Sequence, residues 1–273
     1  MLLTFTLALC PALTTAPAPG LARPVPVVIS RAALQPMKTR AGDSAGESVG
    51  FRTQDKIDLS AAYYAPRKKG SGKAPAALLL HDAGSDRGNL DTVAAYLQKK
   101  GFGVLAVDLR GHGASADSEL RWPELDDDGR TKAWSFASRD VKAAAAYLRD
   151  RNEIHASNLS VIGIGAGCGL AVRHAIDDEN TRAIVLVCPK VENFGYNLTR
   201  GIVDLEGLPT LIIVPQEKRD VASRLQNAGH EANGDECIDL TVVKADPTAV
   251  ILESRTRKET ADWLSKQVMP RKR

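Results

Sequence analysis

Residues 161–172 read VIGIGAGCGLAV: a short apolar strand, a glycine-dense turn and a helix of small residues. A strand that turns sharply into a helix through G-x-(nucleophile)-x-G lifts the middle side chain above a sheet, and the next backbone N–H helps to hold an oxyanion. Here the frame is Gly163, Ile164, Gly165, Ala166 and Gly167. Gly165, in the middle, has no oxygen or sulfur with which to attack a carbonyl. Cys168 is the thiol near the turn, one helical turn beyond its apex. It has no expected histidine partner to form a thiolate, which makes it a weak alternative nucleophile. A dinucleotide reading of the glycines fails, because Cys168 and Leu170 fall where G-x-G-x-x-G needs its third glycine and the motif sits on a late strand. No cofactor is implied.

The elements that must position this turn follow from length and pattern. At 273 residues with 44% hydrophobic and 25% charged residues, the chain can bury one full core. A formal charge of +3 is too small to argue for nucleic acid or an anionic membrane. Residues 1–22 are an apolar run followed by small residues and prolines, too short for a span, and are expected to be a signal peptide for a secreted or periplasmic protein. Residues 23–46, rich in Pro, Ala, Ser and Gly, read as a disordered linker, and residues 269–273 as a basic tail. The folded domain is expected over residues 47–268, with no membrane span in the mature chain. Without Cys10 of the leader, Cys168, Cys188 and Cys237 remain, an odd set lacking metal-ligand spacing, so neither a disulfide framework nor a metal site is indicated.

Along the domain, residues 48–53 and 57–65 read as an antiparallel hairpin at a sheet edge. Continuous apolar runs at 76–80, 104–107, 183–187 and 209–214 have the character of parallel strands covered on both faces, with a further strand at 238–243. Helical spacing places helices around residues 90–99, 133–151, 221–228 and 256–268 between them. The acidic stretch 120–130, with Asp126, Asp127 and Asp128, reads as an exposed loop without the ligand pattern of a calcium loop. Residues 189–208 are too few for a large helical cap, so a cleft above the turn is expected to be open.

These segments together resemble the α/β-hydrolase superfamily, in particular its dienelactone-hydrolase and serine-aminopeptidase-like members with minimal caps. The resemblance is carried by LLLHDAGSD (78–86), VLAVDLRGHGAS (104–115), VIGIGAG (161–167), PTLIIVPQEKRD (209–220) and the closing DWL (262–264), in the family's order. It implies a mostly parallel central sheet with helices on both faces. It also implies a serine at the elbow, where Gly165 departs from it, and an acid past the strand before Asp220, for which a helix-capping role is the plain alternative. The family's histidine follows the last strand, yet residues 244–248 read KADPT and no histidine follows His230. His81 and His112 match segments that shape loops, and His155, His174 and His230 read as solvated or half-buried helix or surface residues. Ala166, with the backbone of Asp82, Ala83 and Gly84, is expected to form an oxyanion-type pocket that survives without a nucleophile.

A serine hydroxyl needs a base to lose its proton, and the base needs an orienting carboxylate. With Gly165 at the elbow and no late histidine, the expectation is a hydrolase fold that binds a small acyl or carboxylate-type ligand without covalent chemistry. The alternative is an active carboxylesterase- or aminopeptidase-like hydrolase with a relocated nucleophile or base. Fold alone does not choose between them.

Overall fold

The computed structural model describes residues 46–67, 72–234, 236–246 and 250–268. They belong to one of two compact units, Lys38–Arg273. The expected leader, the linker up to residue 45 and the basic tail lie outside the described residues.

The chain runs through strands β1 (Glu47–Arg52), β2 (Asp58–Tyr64), β3 (Ala74–Leu80), β4 (Gly103–Val107), β5 (Ile154–Ile164), β6 (Thr181–Val187), the short pair β7 (Glu192–Asn193) and β8 (Tyr196–Asn197), then β9 (Thr210–Pro215) and β10 (Ile238–Val243). All but that pair join one central sheet of eight strands, in the order β1-β2-β4-β3-β5-β6-β9-β10. β2 pairs antiparallel with β1 and with β4, and every other pairing in the sheet is parallel. This is the edge hairpin and buried parallel sheet that the sequence pattern predicts.

Alternation along β3 shows how the two layers are served: Leu78 and Leu80 enter one core, Ala77 and Leu79 the other. Helix α1 (Asp91–Lys99) and, much later in the chain, α6 (Ser254–Val268) pack on the face that receives Ala77 and Leu79. The opposite face receives α2 (Asp127–Arg149), α3 (Gly167–Asp177), α4 (Leu198–Val203) and α5 (Arg219–Asn233). The β7–β8 hairpin, together with α4, fills the interval 189–208 in place of a large cap.

The acidic stretch differs from its expected loop. Asp126 caps α2, its carboxylate accepting from Gly129 N, and Asp127 and Asp128 lie in the first helical turn, where negative charge complements the helix dipole. The helix therefore begins at Asp127, ahead of the expected start at residue 133. His155 is exposed, on strand β5, as a solvated residue, whereas His174 departs from expectation, being buried on α3 with Nε2 3.2 Å from the Asp178 carboxylate. No group of three His, Cys, Asp or Glu among the described residues is arranged to hold a metal ion. Nor is any described helix long and apolar enough to cross a membrane.

Candidate functional site

The turn between β5 and α3 has elbow geometry. Gly165 takes φ +56°, the left-handed region that a strained nucleophile turn uses. Gly163 is required for closeness instead: a Cβ there would meet backbone atoms of Gly167 and Cys168 at 2.6–2.7 Å, so α3 could not start this near the strand. Beside the elbow, the loop after β3 carries His81, Asp82, Ala83 and Gly84.

Asp82 decides the character of the site. Its Oδ1 accepts from the backbone N–H of Ala83 at 2.8 Å and from that of Ala166 at 2.7 Å. These are the donors expected to form the oxyanion-type pocket. The sequence leads one to expect donors that accept an anion or a carbonyl; in the structure a carboxylate of the chain itself sits on them. Lys190, in the segment that follows β6, adds a third donor, its Nζ at 3.0 Å. The same carboxylate lies where an elbow side chain would stand, since a Cβ built on Gly165 would fall inside contact distance of all three carboxyl atoms.

Two histidines hold this loop. His81 Nδ1 donates to Asp82 O at 2.7 Å and its Nε2 accepts from Leu109 N at 3.0 Å. His112 repeats the pattern, Nδ1 donating to Arg110 O at 2.9 Å and Nε2 accepting from Gly84 N at 3.0 Å. Each ring must be neutral to accept at Nε2, and burial acts in the same direction: it lowers the pKa of His81 and brings that of His112 to about 4. Arg110 is fixed in turn by Asp140, through Nη2 to Oδ1 at 2.7 Å and backbone N to Oδ2 at 2.8 Å. Both histidines therefore brace backbone, each with both ring nitrogens engaged.

Above Gly165 lies a cleft of about 410 Å³. Ala83, Leu90, Ile164 and Ile251 give it an apolar side; Asp82, Lys190 and Lys218 give it charge. Asp220 is not brought here. It is exposed in the first turn of α5, while the residue of its segment that reaches the cleft is Lys218. Cys168 is fully buried, its thiol pointing to Gly163 O at 3.2 Å, and burial raises its pKa well above the ordinary thiol value. It is a core residue with no route to a ligand. Cys188 does line the cleft, but burial pushes its thiol up to about 11.

The family described as serine aminopeptidase, S33, matches residues 73–239. The chain belongs to that family. No curated protein matches it. Among solved structures, an esterase from Pyrococcus furiosus superposes with a TM-score of 0.64 at 19% identity, over 82% of this chain and 91% of that one. A dienelactone hydrolase from Anabaena variabilis does so with a TM-score of 0.61 at 18% identity, over 83% and 98%. These likenesses concern the α/β-hydrolase fold.

Within this serine aminopeptidase family member, the sequence reveals the elbow and its missing serine, but not the side chains that fill the gap. It points to Asp82 for its backbone alone and gives no reason to single out Lys190 or Lys218. The one usable signal is an acidic residue in the very loop whose backbone donors face a glycine at the elbow.

Proposed function

We propose that this chain is a pseudo-hydrolase: an α/β-hydrolase-fold protein that does not perform serine-type hydrolysis and acts by binding a small acyl or carboxylate-type ligand in the cleft above Gly165. The observation that carries this is the Asp82 carboxylate on the N–H groups of Ala83 and Ala166. An oxyanion hole stabilises charge that develops in the transition state. A hole already holding a carboxylate repels that charge. The attacking group is absent at Gly165, and His81 and His112, the histidines near the turn, are committed to backbone. Nucleophile, base and oxyanion stabilisation are thus each unsupported, and these elements act as a unit in such enzymes.

The test pairs a fluorophosphonate probe, followed by intact mass, with a panel of short acyl esters and aminoacyl amides. No adduct and turnover at solvent background are expected. A stoichiometric adduct in the cleft would overturn the reading. Residues 1–22 extend the proposal to a protein acting outside the cytoplasm, for which a mature N-terminus near residue 23 is the expected mass-spectrometric result.

A further inference from the structure

The charges of the cleft name its ligand more closely. Lys190 and Lys218 both line it, against one carboxylate, Asp82. Lys190 is shared with Asp82, whereas Lys218, half-buried at the N-cap of α5, makes no hydrogen bond or ion pair with the described residues. Among the lining residues one positive charge has no carboxylate bonded to it, in a hollow whose other side is apolar; Glu217, beside Lys218, lies outside the lining although its charge reaches Cys188.

The backbone donors that would ordinarily hold an acyl oxygen are taken by Asp82, so a neutral carbonyl gains nothing at the elbow. An anion gains the lysine. A charge at the mouth of a partly apolar cleft is screened less than one on an open surface, and its pairing with a ligand carboxylate is correspondingly stronger. The volume of about 410 Å³ lies within the range of small-molecule sites.

We propose that this cleft is a receptor for a small aliphatic monocarboxylate, its charged end at Lys218 with Lys190 assisting and its tail against Leu90, Ile164 and Ile251. The inference rests on the binding reading above and gives it a ligand class. Asp82, fixed in the former oxyanion hole, orients Lys190 and keeps the ligand's carboxylate out of that hole.

Titration of the full chain with hexanoate, and with hexanamide as the uncharged isostere, tests this by calorimetry. Hexanoate is expected to bind and hexanamide to bind at least about tenfold more weakly. Lys218→Met should lose about tenfold in hexanoate affinity, and Lys218→Arg should keep most of it, which separates loss of charge from loss of fold. Added salt should weaken binding. Equal binding of the two probes, no binding of hexanoate, or an unchanged affinity in Lys218→Met would each overturn the proposal. Ester turnover on the same samples keeps the two readings apart. Turnover together with lysine-dependent hexanoate binding ends the non-catalytic reading and leaves this one standing; inert protein that ignores hexanoate does the reverse.

Discussion

The carboxylate of Asp82 occupies the space that a side chain at Gly165 would need. The two residues are remote in sequence and face each other across the ends of β3 and β5, which are parallel neighbours in the sheet. The absence of a side chain at the elbow and the seating of Asp82 on the N–H groups of Ala83 and Ala166 are therefore one steric fact. An aspartate can enter the hole because the elbow is glycine, and the elbow cannot readily regain a side chain while the aspartate is there.

Restoring a serine tests that coupling. Gly165→Ser alone should fold but should not hydrolyse esters. The positive φ imposes strain of about 1–3 kcal/mol, and displacing Asp82 from its charged hydrogen bonds removes about another 1.5–3 kcal/mol. Adding Asp82→Gly to Gly165→Ser should cost little more, because the hydrogen bonds it removes are already lost, making the pair strongly non-additive in denaturant unfolding. Activity should still require a histidine in the loop after β10, residues 244–248, since the sequence supplies none there. Ester turnover by Gly165→Ser alone would show that a base is already in place.

Asp82→Gly by itself should lower stability by about 1–3 kcal/mol, because the N–H groups of Ala83 and Ala166 lose an ionised acceptor at the start of α3. It should also open an anion site. Added acetate should then raise the melting temperature of Asp82→Gly more than that of the wild-type chain, by linkage. An equal response in both proteins would mean that the carboxylate is not filling the hole.

How much of this is legible in the sequence depends on whether backbone or side chain carries the signal. The parallel strands, the edge hairpin and the elbow are readable because apolar runs and closely spaced glycines state backbone requirements directly. The start of α2 is hidden because Gly129, a poor helix former, follows three aspartates. The cap formed by Asp126 on that glycine's N–H outweighs its propensity. Asp82 is hidden for a different reason. Its role depends on where a short side chain turns relative to a loop remote in sequence, and no local pattern encodes that. Lys218 is masked by Asp220 because both lie on one turn and only packing tells which of them reaches the cleft.

Cys168 offers a sharp check on the packing. In the native protein, iodoacetamide should leave Cys168 unmodified, because its thiol is fully buried and kept protonated by desolvation. Unfolding should expose it to stoichiometric labelling. Rapid native labelling, read by peptide mass spectrometry, would mean that α3 does not pack on β5 as described.

His112 is held near a pKa of about 4 by burial and by its neighbour His81, against about 6.5 in an unfolded chain. Between those values the unfolded state takes up a proton that the folded state refuses, so stability falls as pH decreases through that window. The sign follows from the geometry as well. Protonation at Nε2 would turn the acceptor for Gly84 N into a second donor facing it. His81 acts in the same direction, since its Nε2 accepts from Leu109 N. Asp55, held low chiefly by Arg110, and Asp178, held low against its burial by His174 and Arg149, lose their contribution only below the ordinary carboxylate value of about 4. Glu153, held low against a somewhat higher ordinary value, adds to the loss near about pH 4.5, and Asp140, raised by burial, acts the other way; a decline that begins near about pH 6.5 therefore belongs to the histidines. Each tenfold difference in proton affinity between the two states is worth about 1.4 kcal/mol, so His112 alone should lower the unfolding free energy by about 2–3 kcal/mol between pH 7 and about pH 4.5. His112→Gln keeps an acceptor for Gly84 N and a donor for Arg110 O without titrating. It should be less stable than wild type at neutral pH yet lose distinctly less on acidification. Urea midpoints at the two pH values measure this, and parallel losses in both proteins would remove His112 as the cause.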